Sequence, residues 1–155
     1  MGIDAWVGCS CIKDGIAAPH PLPQLLRFQE TGEPPLDVSA EPSLEQWLQH
    51  DRWLKTACSH GRRLVSKRLG NIALIDYIRE YVESLPQGDL RMIRERVIYD
   101  GTHCGDWVFA SDSARLLEEA RNLRERTTDP SIGHFADALI ELAQASATTG
   151  NPIVF

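Results

Sequence analysis

Two short segments of the sequence carry side chains of the types that bind zinc in proteins. Cys9 and Cys11 lie one residue apart in VGCSCIKDG, and Cys58 and His60 lie one residue apart in ACSHG. Three thiolates and one imidazole make a complete tetrahedral set, because zinc accepts sulfur and imidazole nitrogen as ligands. A zinc site formed by these four residues is therefore one of two interpretations of the pattern.

The spacing favours the other interpretation, in which no metal is bound. Paired ligands of structural zinc sites are typically separated by two to four residues, and each pair here is separated by one. A strand would also place Cys9 and Cys11 roughly 6.5–7 Å apart at Cα. Buried cysteines often serve as small apolar side chains, and a histidine such as His60 is favoured at a helix C-terminus. In this interpretation the protein has no cofactor.

A second group of polar side chains lies in DGTHCGD, residues 100–106. A histidine beside carboxylates is suited to acid–base chemistry or to ligand binding, and glycines let a ligand approach the backbone closely. The alternative is a hairpin loop whose Asp and Thr side chains bond to the local backbone. The candidate binding residues here are Asp100, Thr102, His103, Gly105 and Asp106.

The segment HDRW contributes two further candidate binding residues, Asp51 and Trp53. Asp51 falls on the apolar stripe of a predicted helix. It is expected to face inward and to pair with an arginine, since an unpaired buried carboxylate is costly. His20 lies between prolines and is expected on the surface of a loop, and His50 is expected in solvent or at the edge of the core.

The N-terminal half of the chain predicts three elements that position these residues. Alternating side chains predict a strand over residues 3–12, and the prolines of residues 16–42 predict an irregular segment. Ser43 and Gln46 form a capping-box signature, which predicts the start of a helix. The expected inner stripe of this helix consists of Leu44, Trp47, Leu48, Leu54 and Cys58.

The C-terminal half predicts three more helices and two short strands. Asn71 is the expected N-cap of a helix with apolar residues three and four apart, which Pro86 ends. Strands are predicted over residues 96–99 and 107–110, and helices over 111–126 and 130–147. The pattern indicates a single α+β domain over residues 1–155, with a small, mainly antiparallel sheet packed on about four helices.

Composition excludes several functional classes. The chain has 155 residues and a net charge of −6, which does not suit binding to nucleic-acid phosphates. It contains neither a transmembrane run nor a signal peptide, so a cytoplasmic protein without membrane contact is expected. In that compartment the cysteines are expected to be reduced. The glycine-rich phosphate and dinucleotide motifs, the nucleophile elbow and the metalloprotease helix motif are missing from the sequence.

Scattered blocks over nearly the whole chain resemble a group of small bacterial proteins of unassigned function. These blocks are MGIDAWVGCSCIKDG, HDRW, CSHG, RLGNIALI, YDGTHCGDWV and GNPIVF. The resemblance implies a polar set that joins the four metal candidates to the candidate binding residues of HDRW and of residues 100–106. It implies no activity. By analogy with small acidic immunity proteins, the expected partner is a bacterial toxin.

The sequence therefore predicts a non-catalytic cytoplasmic binding protein, which as an immunity protein would neutralise a toxin by occlusion. One alternative is a small metal-dependent or His/Asp-based enzyme, and another is a structural zinc-binding domain. A spatial prediction connects the candidates: residues 100–106 are expected to lie near Cys9, Cys11 and the end of the first long helix.

Overall fold

A computed structural model of the chain describes residues 2–27, 36–86, 88–99 and 106–155. The chain divides into two compact units. The larger unit contains the residues up to Val7 together with Val65–Phe155, and the smaller unit is Gly8–Leu64.

The described residues form four strands and four α-helices. The strands are β1 (Gly2–Gly8), β2 (Arg63–Asn71), β3 (Trp107–Val108) and β4 (Ile153–Val154). The α-helices are α1 (Leu44–Thr56), α2 (Ile72–Ser84), α3 (Ser113–Arg126) and α4 (Pro130–Thr149). Short 3-10 helices occupy Pro23–Leu25, Val38–Ala40 and Ala110–Asp112, and a π-helix occupies Ile93–Val97.

The four strands form one sheet in the order β2-β1-β4-β3. Strand β4 runs antiparallel to both of its neighbours: Val154 lies opposite Trp6 of β1 and opposite Trp107 of β3. The helices and this small sheet confirm the predicted α+β class.

The larger unit has a continuous apolar core. Alternate residues of β1 (Ile3, Ala5 and Val7) are almost fully buried, as expected for a strand with one face on a core. Helix α4 contributes Phe135, Leu139, Leu142 and Ala143 to the core, which confirms the inward positions predicted for that helix.

Three polar groups inside the larger unit form a chain of hydrogen bonds. The Ser113 hydroxyl donates to the Ser146 hydroxyl at 2.7 Å, and the Ser146 hydroxyl donates to the backbone carbonyl of Asn151 at 2.6 Å. All three residues are fully buried. Because buried polar groups need hydrogen-bond partners, this chain fixes the segment that leads from α4 into β4.

The smaller unit buries little apolar surface among its described residues. Its buried hydrophobic side chains are Cys9, Cys11, Leu36, Trp53 and Leu54. Two of these five are cysteines. Natural small units with few buried apolar side chains often carry an additional cross-link, such as a disulfide or a metal.

Helix starts are the best predicted features of the chain. Ser43 and Gln46 make both hydrogen bonds of a capping box at the start of α1. Asn71 caps α2 by accepting a hydrogen bond from the Leu74 N–H at 2.9 Å. Within the described parts of residues 16–42, short 3-10 turns and one isolated bridge between Leu26 and Leu36 interrupt an otherwise irregular chain, as predicted.

One predicted strand is too long and another is absent. The strand expected over residues 3–12 ends at Gly8, because the chain turns at Ser10–Gly15, where Asp14 N–H donates to the Ser10 carbonyl at 2.9 Å. The strand expected over residues 96–99 is replaced by the π-helix Ile93–Val97. The buried Glu119 carboxylate accepts the Ile93 N–H at 3.0 Å, and this contact from a distant helix outweighs the local preference of the β-branched residues.

The predicted inner stripe of α1 is right at Leu54, which is buried, and wrong at Leu44 and Leu48, which are 76% and 57% exposed. The other buried residues of the helix are His50 and Trp53. The helix packs the indole of Trp53 against the segment around Ala18, whose carbonyl accepts the Trp53 Nε1–H at 2.8 Å. No helix among the described residues combines the length and apolar character needed to cross a bilayer.

The buried serine chain gives a stability prediction. Replacement Ser146→Ala removes the donor to the Asn151 carbonyl and the acceptor of the Ser113 hydroxyl, so we expect the free energy of unfolding to fall by about 1–3 kcal/mol. Thr148→Ala, on the exposed side of α4, is the matched control, with an expected change within about 0.5 kcal/mol. Urea unfolding of the two variants and the parent measures both changes, and equal changes would contradict the assignment.

Candidate metal centre

The metal candidates lie in two segments of the smaller unit that the backbone holds side by side. Strand β1 ends at Gly8, and the next residue, Cys9, donates its backbone N–H to the Arg62 carbonyl at 2.9 Å. On the other segment, α1 ends at Thr56 and a turn follows, in which Gly61 N–H donates to the Cys58 carbonyl at 3.2 Å. Two reversals of the chain therefore bring residues 9–11 beside residues 58–62.

Within these segments the four predicted ligands form one cluster. Donor atoms of Cys9, Cys11, Cys58 and His60 all lie within 4.8 Å of one another. The Cys9 and Cys58 sulfurs are 3.6 Å apart, and the Cys11 sulfur lies 3.2 Å from His60 Nδ1. Cys9 and Cys11 are buried, Cys58 is half-buried and His60 is exposed. The predicted association of the two pairs is confirmed.

The distance between the Cys9 and Cys58 sulfurs matches the sulfur–sulfur distance of a tetrahedral zinc site. Zinc–sulfur bonds of about 2.3 Å in tetrahedral geometry place two sulfurs roughly 3.8 Å apart. The observed 3.6 Å between Cys9 and Cys58 agrees with that value. The objection from strand geometry does not hold, because Cys9 and Cys11 follow the strand and occupy a turn instead of alternating along one face.

Two backbone N–H groups donate hydrogen bonds to the Cys58 sulfur. Burial acts to raise the pKa of this thiol, but hydrogen bonds from the backbone N–H groups of Arg62 and His60 outweigh burial and lower the pKa to about 7. Gly61 and Arg62 both adopt left-handed backbone conformations, with φ of 53° and 71°. Successive N–H groups in such a turn form a concave site for an anion, here the thiolate.

The pKa of the Cys9 thiol shifts in the opposite direction, upward. Burial raises the pKa of its thiol to about 12, and the neighbouring sulfurs of Cys58 and Cys11 act in the same direction, although the Cys11 backbone N–H opposes them. The cluster therefore favours one thiolate, at Cys58, while Cys9 keeps its proton. A divalent cation bound among the sulfurs would stabilise further thiolates, because metal binding displaces thiol protons.

The second predicted group, residues 100–106, is described only at its last member. Asp100, Thr102, His103 and Gly105 lie outside the described residues, so the prediction that this segment approaches the cysteines stays a prediction. Asp106 is exposed in the larger unit. Its carboxylate accepts a hydrogen bond from the Tyr99 hydroxyl, and its backbone carbonyl accepts the Phe155 N–H at 2.9 Å.

The two predicted binding residues of α1 have different surroundings. The prediction that Asp51 faces inward is wrong: its side chain is exposed and pairs with Lys55, one turn along the helix, at 2.6 Å. The hydrogen bond from Lys55 lowers the pKa of Asp51. Trp53 is buried, and Ala18 N–H donates to the Ala57 carbonyl at 2.8 Å beside it. Trp53 thus fastens the segment around Ala18 to the helix.

A pair of histidines in the smaller unit was missed by the sequence prediction. His50 is 6% exposed, and its Nδ1 lies 2.9 Å from His20 Nε2. Leu22 N–H donates to His20 Nδ1 at 2.9 Å, so neutral His20 carries its proton on Nε2 and donates it to His50. The two positions are 30 residues apart, and no local pattern in the sequence connects them.

Exposed aromatic rings line a groove of about 470 Å³ in the larger unit. Tyr99, Trp107 and Phe109 are each between 41% and 49% exposed, and the Trp107 and Phe109 ring centroids lie 6.2 Å apart. Glu95, Arg96 and Asp106 supply the charged groups of the lining. Clustered exposed aromatic rings are typical of interaction surfaces.

Comparison of the chain with protein-family models, with curated proteins and with solved structures finds no match.

The histidine pair predicts a loss of stability in acid. Burial lowers the pKa of His20 and of His50 from 6.5, and for His50 the charges of His20 and Arg62 act in the same direction while Asp51 opposes them. Because the unfolded chain then binds more protons than the folded chain, the free energy of unfolding falls as the pH decreases through 6.5 and is fully restored above it.

NMR titration of the histidine ring protons measures this directly. Resonances of His20 and His50 are expected to titrate below pH 6.5. Replacement His50→Gln should reduce the acid loss of stability, whereas His134→Gln, on the exposed surface of α4, should leave it unchanged. Titration of both histidines of the pair at or above pH 6.5 would contradict the prediction.

Proposed function

We propose that this chain is a zinc-binding protein in which Cys9, Cys11, Cys58 and His60 hold one structural zinc ion. The observation that carries the proposal is the cluster itself: four donor atoms of the types that zinc prefers lie within 4.8 Å of one another. The two sequence segments that supply them are 49 residues apart, so their convergence is a property of the fold.

The donor set favours a structural role over a catalytic one. Catalytic zinc sites usually have three protein ligands and leave the fourth position to water or substrate, whereas structural sites have four protein ligands. Three cysteines and one histidine fill the tetrahedron. The proposal therefore retains the non-catalytic character predicted from sequence and adopts the structural zinc domain among its alternatives.

Two features of the surroundings support zinc in this position. The N–H groups of Arg62 and His60 that donate to the Cys58 sulfur would stabilise and orient a metal-bound thiolate, as outer hydrogen bonds do in other metal sites. The smaller unit also has few buried apolar side chains among its described residues, and a metal that binds both segments would supply the missing cross-link.

Elemental analysis of the purified protein tests the site. We expect stoichiometric zinc, and we expect Cys58→Ser to lose it, because a hydroxyl is a poor replacement for a thiolate ligand. Cys104→Ser is the matched control, since it removes the remaining cysteine of the sequence and should retain zinc. Zinc-free protein that also fails to bind added zinc would overturn the proposal.

Hydrogen exchange locates the effect of zinc removal. On addition of a chelator, amides of α1 in the smaller unit should lose protection, while amides of α3 and α4, which belong to the apolar core of the larger unit, should keep it. Unchanged protection of α1 would show that zinc does not stabilise the smaller unit.

We infer a second function, protein binding, from the aromatic groove of the larger unit. Tyr99, Trp107 and Phe109 resemble the aromatic anchors that contribute most of the affinity of protein interfaces. Glu95 and Asp106 outnumber Arg96 in the lining and the chain has a net charge of −6, so the expected occupant is a basic protein surface. The predicted role as an immunity protein, which occludes a cytoplasmic toxin, belongs to this proposal.

A rescue experiment tests this second function. Co-expression with a toxin encoded by a neighbouring gene should protect cells, and Trp107→Ala should weaken binding by at least roughly tenfold, which is common for an anchor residue. Tyr77→Ala, which truncates an equally exposed aromatic side chain on α2, is the control and should bind normally. Absence of both a toxin neighbour and rescue would exclude the immunity role, and equal affinities of the two variants would exclude the groove.

A further inference from the structure

We propose that the zinc site is also a site of reversible oxidation, at which Cys58 and Cys9 form a disulfide and the metal is released. This inference rests on the proposed zinc site and concerns its regulation. It starts from the contact between the two sulfurs, which lie 3.6 Å apart, and from the three described cysteines, all of which are reduced thiols.

The access of solvent to the cluster distinguishes its three sulfurs. Cys9 and Cys11 are 5% and 6% exposed, whereas Cys58 is half-buried. A small oxidant in solution therefore reaches Cys58 first. Oxidation of cysteine is selective for the accessible thiolate, and a second thiol nearby determines whether the product is a disulfide.

Cys9 is placed to complete the reaction, because its sulfur lies 3.6 Å from the Cys58 sulfur. A disulfide requires a sulfur–sulfur distance of about 2.05 Å, so the two atoms must approach by roughly 1.5 Å, which rotation about side-chain torsions supplies. The backbone already holds the two segments together through the Cys9 N–H bond to the Arg62 carbonyl at 2.9 Å. Cys11 instead lies against His60 Nδ1, at 3.2 Å.

The reaction with a hydroperoxide is balanced in two steps. First, the Cys58 thiolate attacks the terminal peroxide oxygen, the O–O bond breaks, and the leaving alkoxide or hydroxide takes a proton from solvent, which yields a sulfenic acid at Cys58. Second, the Cys9 thiolate, released from zinc, attacks the Cys58 sulfur, the S–O bond breaks, and the leaving hydroxide takes a second proton from solvent and departs as water. The two sulfurs lose two electrons, which reduce the peroxide.

The disulfide would replace the cross-link that zinc provides. It joins the same two segments, which are 49 residues apart in sequence, and it leaves Cys11 and His60, too few ligands to retain zinc. The smaller unit should therefore stay folded in the oxidised, zinc-free state. The reduced, zinc-free state lacks both links and should be less protected against hydrogen exchange.

The experiment treats zinc-loaded, full-length protein that carries Cys104→Ser with hydrogen peroxide. We expect zinc release to a chromogenic chelator, loss of two thiols per chain, and a Cys9–Cys58 peptide pair in the digest. Thiol reductant should reverse the disulfide and restore zinc binding. The variants that lack a proposed zinc ligand are treated in the metal-free form: Cys11→Ser should still give the linked pair, and Cys9→Ser, which cannot form it, should leave Cys58 oxidised to sulfinic acid.

The outcomes separate this inference from the proposed zinc site. Zinc-loaded protein that yields sulfinic acid at Cys58, a Cys11–Cys58 link or a disulfide between two chains would overturn the inference and leave the zinc site intact. Protein that binds no zinc would overturn the proposed function, and the same digest of the metal-free chain would still show whether Cys9 and Cys58 pair. Should Cys9→Ser fail to fold, the linked peptide and its reversal in the parent protein decide the matter.

Discussion

The smaller unit has to hold its polypeptide segments together although few of its described apolar side chains are buried. Where the larger unit buries whole faces of α4 and β1, the smaller unit relies on directional contacts: the Cys9 N–H to the Arg62 carbonyl, the Trp53 indole to Ala18, and the imidazole of His20 to that of His50. Each hydrogen bond contributes modestly to net stability. The proposed zinc ion or disulfide at the sulfur cluster would add a stronger link between the same segments.

The same constraint explains why chemistry is concentrated in the smaller unit. A link between distant segments has to be built from groups that bind strongly at one point, and such groups are thiolates and imidazoles. Thiolates that bind a metal are also oxidisable, and imidazoles titrate near neutral pH. If the proposed zinc site holds the unit in this way, the unit would be open to chemical control, whereas an apolar core such as that around Leu139 is not.

Local signals were predictable from the sequence, and contacts across the chain were not. The caps at Ser43 and Asn71 follow from hydrogen bonds within one helical turn, and the buried face of α4 follows from its periodicity. The four metal candidates, whose donor atoms lie together, followed from residue type alone. Their geometry did not, because the turn after Gly8 is held by contacts with residues near position 60. The π-helix at Ile93 and the His20–His50 pair depend on equally distant partners.

Strand β4 has a consequence for biosynthesis. It lies between β1 and β3 in the sheet, and it pairs Val154 with Trp6 although both neighbouring strands precede β4 in the sequence. The ribosome therefore delivers an inner strand after all the elements that flank it. Until then β1 and β3 lack the neighbour that joins them, so closure of the sheet must wait until β4 has been synthesised.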